Sequence, residues 1–179
     1  MKKFTKYILF ISLGLLCSCS DYLDIVPDNV TTLDIVFNNK NTAQRYLANC
    51  YHVVPDHGSV KRIPGMGAGH ECWFYTDKDS YFDNEVSFYI ARGLQNTNAP
   101  YANYWDGEGG SKLPMFRAIR ECNIFLSYVR DQHKVNDLTD SERKRWIAEV
   151  NVLKAYYHFF LFEHYGPIPI VDEALPVST

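Results

Sequence analysis

Residues 139–171, TDSERKRWIAEVNVLKAYYHFFLFEHYGPIPIV, decide the fold. Thr139 with Glu142 three positions on has the form of a capping box, in which a hydroxyl and a carboxylate satisfy each other's free backbone N–H groups. Beyond it Trp146, Val150, Leu153, Tyr157, Leu161 and His164 recur at spacings of 4, 3, 4, 4 and 3, the period of one helix face. The stretch Ala155–Phe162 is apolar nearly all round and is therefore expected to be buried on more than one side. Gly166 then Pro167 ends the helix in the expected order. Ile168-Pro169-Ile170-Val171 leaves as extended chain, because the residue before a proline is driven out of the helical region.

Two further helices precede this one. Near Thr42–Val54, Ala43, Leu47, Cys50 and Val54 form a stripe at spacings of 4, 3 and 4, with Asn41 and Gln44 as a capping box. After Pro114, a residue suited to a helix's first turn, Met115, Ile119, Cys122, Leu126 and Val129 line one face, and Arg117, Arg120 and Glu121 fall off it. Cys50 and Cys122 lie on these apolar faces and read as buried thiols. Between the two helices, roughly Pro55–Lys112, there is no clean periodicity. The segment is rich in Gly, Asn and Asp and holds Trp73, Phe74, Tyr75, Tyr81, Phe82, Phe88, Tyr89, Tyr101, Tyr104 and Trp105. So long a connection is functional or disordered as a rule, and the aromatic load argues against disorder. The expected fold is mostly α: a helical scaffold with a long, ordered, aromatic-rich loop insertion.

Composition narrows the function. The chain has 179 residues, 46% hydrophobic and 22% charged, the profile of a globular domain or part of one. Its 18 Lys+Arg against 21 Asp+Glu include Lys2, Lys3 and Lys6; without the first eighteen residues the balance is 15 against 21. An acidic chain lacks the field that phosphate backbones require, so nucleic acid is excluded as a partner.

Those first residues have their own meaning. Met1–Lys6 is basic and Tyr7–Leu16 apolar. Ten residues of helix rise about 15 Å, half of what a membrane span needs, so the segment is an export signal. Leu16-Cys17-Ser18-Cys19 places Leu at −3 and a small Ser at −1 of Cys19, which resembles the lipobox of bacterial lipoproteins. Cys19 is the expected lipidation site; bulky Leu16 before Cys17 makes that residue the poorer candidate. Acyl chains at Cys19 hold a protein on a membrane at about 0.8 kcal/mol per buried CH₂. Residues 1–18 thus read as a lipoprotein signal peptide and 19–38 as an acidic tether carrying Asp21, Asp24 and Asp28. Cys50, Cys72 and Cys122 remain, an odd count without zinc-like spacing. One disulfide among them can form in an oxidising compartment, and the spacing does not choose the pair.

The candidate chemistry sorts by geometry. His158 and His164 are six apart, so on a helix they point about 120° away from each other and do not match metalloprotease spacings. His70-Glu71-Cys72 are consecutive and do not converge on one ion, so no metal or cofactor is expected. Asp77, Asp79, Asp83 and Glu85 crowd one loop, which leaves a glycosidase pair open, although a solvated acidic loop is the plainer reading. Ser111 and Ser141 lack a nucleophile-elbow context. Gly65-Met66-Gly67-Ala68-Gly69 has no strand-then-helix frame for a dinucleotide. The aromatics carry more weight. Sugar rings stack an apolar C–H face on Trp or Tyr while Asn, Asp and Arg bond their hydroxyls. The candidate ligand residues are Trp73, Tyr75, Asp77, Tyr81, Arg92, Asn103 and Trp105, with Asn84, Gln95, Asn96 and Asn98 as further polar partners; half or more of the loop's rings are expected to pin it to the helices instead.

Four stretches in order carry a family resemblance. Cys19-Ser20-Asp21-Tyr22-Leu23-Asp24-Ile25-Val26-Pro27 resembles the mature N-terminus of SusD/RagB-like lipoproteins, and AQRYLANCYHVV (Ala43–Val54) their first helix. MFRAIRECNIFL (Met115–Leu126) is similar to the family's aromatic-xx-Ile-xx-Cys-Asn pattern, and Ala148–Val171 to its segment in which a helix ends in Tyr-Gly-x-Pro. The resemblance implies a tetratricopeptide-like helical scaffold, with residues 39–179 as the N-terminal part of a longer domain. It also implies a non-enzymatic outer-membrane lipoprotein of Bacteroidetes, facing the exterior. Such a protein binds glycans, or peptides in some branches, and serves a SusC-like TonB-dependent importer. A lipid-anchored glycosidase and a scaffold subunit binding only the importer are the alternatives.

Overall fold

The computed structural model describes residues 32–59, 62–65, 67–69, 86–98, 100–108 and 111–175. The chain divides into two compact units at residue 33, and the described helices lie almost wholly in the second. The described helices are α1 (Leu33–Val36), α2 (Lys40–Cys50), α3 (Val86–Ala91), α4 (Met115–Arg130) and α5 (Asp140–Tyr165), and no β-strand occurs among the described residues. The protein is mostly α-helical.

The α4–α5 pair is the frame. Arg143 on α5 bonds Val129 O on α4, Trp146 meets Phe125, and Lys154 Nζ bonds Asn123 Oδ1 at 3.1 Å. Contacts climb α5 as they descend α4, so the two run antiparallel. The sequence stripes face each other: Met115, Ile119, Cys122, Leu126 and Val129 are buried against Trp146, Val150, Leu153, Tyr157 and Leu161. Each large apolar side chain withdrawn from water contributes about 1.5–3 kcal/mol. At the start of α5 the capping box is complete: Thr139 Oγ1 accepts from Glu142 N and Glu142 Oε2 accepts from Thr139 N. At its end Gly166 takes φ +76°, a conformation side chains resist, and its N–H closes on Phe162 O. The extended exit is then tied back. Asn123 Nδ2 donates to Val171 O and Glu173 O, while His158 Nδ1 meets Lys154 O and Nε2 accepts from Val171 N. His158 thus has both ring nitrogens engaged by the scaffold.

Five expectations need correction. The cap of α2 is Asn39, whose Oδ1 accepts from Thr42 N at 3.1 Å, rather than Asn41 with Gln44. The helix starts earlier because tertiary partners hold its first residue: Lys40 N donates to Asp137 Oδ1 and Lys40 Nζ to Glu142. It also ends at Cys50, where Tyr51 N turns back to Ala48 O, so Val53 is buried and Val54 exposed. The stretch between the first two predicted helices is not free of helix, since α3 lies within it; six residues are too short to show a period. On α5 only one broad face is covered. Val152, Phe159 and Phe162 are 70%, 59% and 55% exposed, because no described element lies over them. His164, at the end of the predicted stripe, is exposed at the rim, with its ring T-shaped to Tyr104 and tilted against Phe160.

Candidate functional site

The residues around Trp105 are held by the start of α4. Pro114 caps α4 without a side-chain bond, leaving the helix's first N–H groups to find other acceptors. The loop supplies them: Met115 N donates to Tyr104 O at 3.0 Å and Phe116 N to Trp105 O at 3.4 Å. The Asp106–Gly110 stretch between Trp105 and α4 begins with a fold that only glycine fits. Gly107 sits at φ +82°, and a Cβ there would meet Pro114 N at 2.6 Å. Trp105 therefore has a backbone fixed by the scaffold. Its indole packs on Phe116, with centroids 4.5 Å apart, yet stays 43% exposed.

Opposite it stands Tyr165, the last residue of α5, 41% exposed. The two rings are perpendicular, with centroids 5.8 Å apart. The Tyr165 hydroxyl accepts from Tyr104 N at 2.8 Å and donates to Ala102 O at 3.3 Å, and burial pushes its pKa up. Its oxygen is committed to backbone while the ring remains accessible. Both rings line an open groove of about 360 Å³, together with Gln95, Asn96, Thr97, Pro100, Ala102 and Asn103. Gln95 Oε1 accepts from Tyr101 N and Ala102 N, which turns its amide N–H₂ end away from the backbone it braces. Asn103 Oδ1 accepts from Trp105 N, and its Nδ2 donates to Asp106 Oδ1 at 2.6 Å. The groove thus joins two aromatic faces to fixed amides, and its size is at the low end of ligand sites, about 300–1,000 Å³.

Of the sequence-predicted residues, Asn103 and Trp105 come together here, with Gln95 and Asn96 from the wider polar set. Arg92 lies just past α3, exposed, and does not line this groove. Trp73, Tyr75, Asp77 and Tyr81 lie outside the described residues, as do Cys19, Cys72 and the acids Asp77–Glu85. Among the loop's other described rings, Phe88 and Tyr104 are buried, and Tyr89 stacks on Tyr101 at 3.9 Å; these pin the loop. Tyr165 is the residue the sequence reading missed. The sequence signals only its exposure, since it falls outside the predicted stripe and directly precedes the capping glycine; nothing local signals its place beside Trp105.

Two other grooves are chemically different. One of about 420 Å³ lies between residues 34–38 and 133–136. Its lining aromatic, Phe37, is fully buried, and the Lys134–Asp34 ion pair, at 2.8 Å, draws its sides together. The other, about 340 Å³, is walled by His158, Phe159, Phe162, Pro167, Ile168 and Ile170 and is almost wholly apolar. Among the described residues no cluster of His, Cys, Asp and Glu has the makings of a metal site.

A SusD-like family model, described as "Starch-binding associating with outer membrane", matches residues 21–176. The chain belongs to this SusD-like family, whose members are binding proteins. No curated protein and no solved structure matches it.

Proposed function

We propose that this protein captures an oligosaccharide at the outer membrane and passes it to a SusC-like TonB-dependent importer, without transforming it. The groove lined by Trp105 and Tyr165 carries the reading. Two rings at right angles suit the apolar faces of sugars, and Asn103, Gln95 and Asn96 suit their hydroxyls. Trp73, Tyr75, Asp77, Tyr81 and Arg92 supply further contacts in the same reading. The family's description, starch-binding and associated with the outer membrane, supports both the ligand class and the location. Cys19 is the lipid-bearing residue that fixes the protein there, facing the exterior.

A glycan array probed with the full-length protein, with starch oligosaccharides among the ligands, tests the capture. Binding with the sugar recovered intact is expected. Cleavage of bound glycan would favour the glycosidase that the Asp77–Glu85 acids leave open, and no binding to any glycan would favour a scaffold subunit. Anchoring has its own test: Cys19→Ala is expected to move the protein from carbonate-washed membranes to the soluble fraction. If it stays bound while Cys17→Ala is released, the anchor is Cys17.

A further inference from the structure

The seam between α2 and α4 brings two thiols together. Phe37, just before α2, stacks on Tyr128 at 4.5 Å, Tyr46 stacks on Phe125, and the Tyr46 hydroxyl donates to Glu121. Moving forward from Phe37 along α2 therefore means moving back along α4. One turn beyond Tyr46 is Cys50, and beside Glu121 is Cys122. Both are fully buried free thiols in the same apolar cluster. The Tyr157 hydroxyl, donating to Cys50 O, holds the last turn of α2 at this level.

We propose that Cys50 and Cys122 are the pair that closes into a disulfide when the exported chain matures, clamping α2 to α4. The ring so formed takes in the roughly 70 residues between them, including the loop that carries Trp105. The family's outer-membrane association supplies the oxidising compartment that such a bond needs. The oxidant is a thiol–disulfide oxidase, a protein carrying its own reactive disulfide. The Cys50 thiolate attacks one oxidase sulfur, forming a mixed disulfide and releasing the other as a thiolate. The Cys122 thiolate then attacks the Cys50 sulfur, the Cys50–Cys122 bond forms and the oxidase leaves as a dithiol. Two electrons pass to the oxidase, and the two protons shed by the cysteines are balanced by two taken up on its sulfurs. The exchange belongs before α2 docks. Once the seam is closed, a hydrogen bond with the Cys122 thiol and burial push the Cys50 pKa well up, and the thiolate needed for attack becomes scarce.

The test uses the full-length protein from outer-membrane fractions, trapped in acid, unfolded in denaturant and treated with a maleimide before any reductant. The expected result is no labelling of Cys50 or Cys122 until reduction, and a cross-linked peptide pair containing both, which separates on reduction. Reductant should lower the melting temperature of the natural protein and leave that of a Cys50→Ala/Cys122→Ala variant unchanged. Labelling of both residues without reductant, or a cross-link from Cys72 to either, overturns the proposal.

Discussion

Arg143 carries a charge into the junction between α4 and α5 with no carboxylate paired to it among the described residues. It is only 8% exposed. Its guanidinium serves four backbone carbonyls instead: Val129 O at 2.6 Å, and Asp131 O, Lys134 O and Val135 O each at 3.1 Å. The first of these is a helix-end carbonyl with no partner inside α4. Val135, a β-branched residue held at φ +51°, is fixed from both sides, by Arg143 and by its own N–H to Phe37 O. One side chain thus closes the helix hairpin. Hydrogen bonds to charged groups contribute about 1.5–3 kcal/mol each, non-additively, so Arg143→Ala is expected to cost about 3 kcal/mol or more in denaturant unfolding. Arg143→Lys should recover only part of that, because an ammonium is a point charge and not a fork. No local pattern signals this role, since a charged residue near a helix start reads as surface.

At the scale of elements, α4 and α5 were legible because their periods are long and their caps local. The start of α2 was not, because Lys40 is drawn into the helix by Asp137 and Glu142, both about a hundred residues away. That contact has a pH signature. The hydrogen bond from Lys40, then those of Thr139, pull the Glu142 carboxyl down from its ordinary 4.5 to about 2. A depressed carboxyl stabilises the fold when ionised, so its contribution is present above about pH 4.5 and disappears as the pH falls through about 2. Acid titration of stability should show a loss across that window, and Glu142→Gln should flatten it; an unchanged profile would remove Glu142 from the account. The uncovered stripe of α5, Val152, Phe159 and Phe162, makes a second prediction. Exposed apolar patches drive association, so a polypeptide of residues 20–179 is expected to bind a hydrophobic dye and self-associate. Val152→Lys with Phe159→Lys should reduce both while helicity is kept. A monomeric, dye-silent parent with a sharp melt would show that the stripe needs no cover.

For the whole molecule, the scaffold was readable and the site only half so. Asn103 and Trp105 stood out by residue type, in a polar loop without a period to bury them. Tyr165 did not, because its place beside them is a tertiary contact across some sixty residues that no local pattern encodes. Tyr104, chemically similar and adjacent to Trp105, is a core ring, because it packs on Phe160 and His164 of α5 and its hydroxyl donates to Arg62 O. Capture therefore depends on Trp105 as a ligand platform. Calorimetric titration of the full-length protein and its Trp105→Ala variant with a starch oligosaccharide that the array selects tests this directly, read beside their melting temperatures. Removing one stacking ring costs about 1–3 kcal/mol by analogy with base stacking, roughly 5- to 150-fold in affinity. A loss in that range is expected, with a melting temperature lowered by no more than a few degrees. Unchanged affinity, with the strong destabilisation of about 3–5 kcal/mol that a packed tryptophan would give, would contradict it.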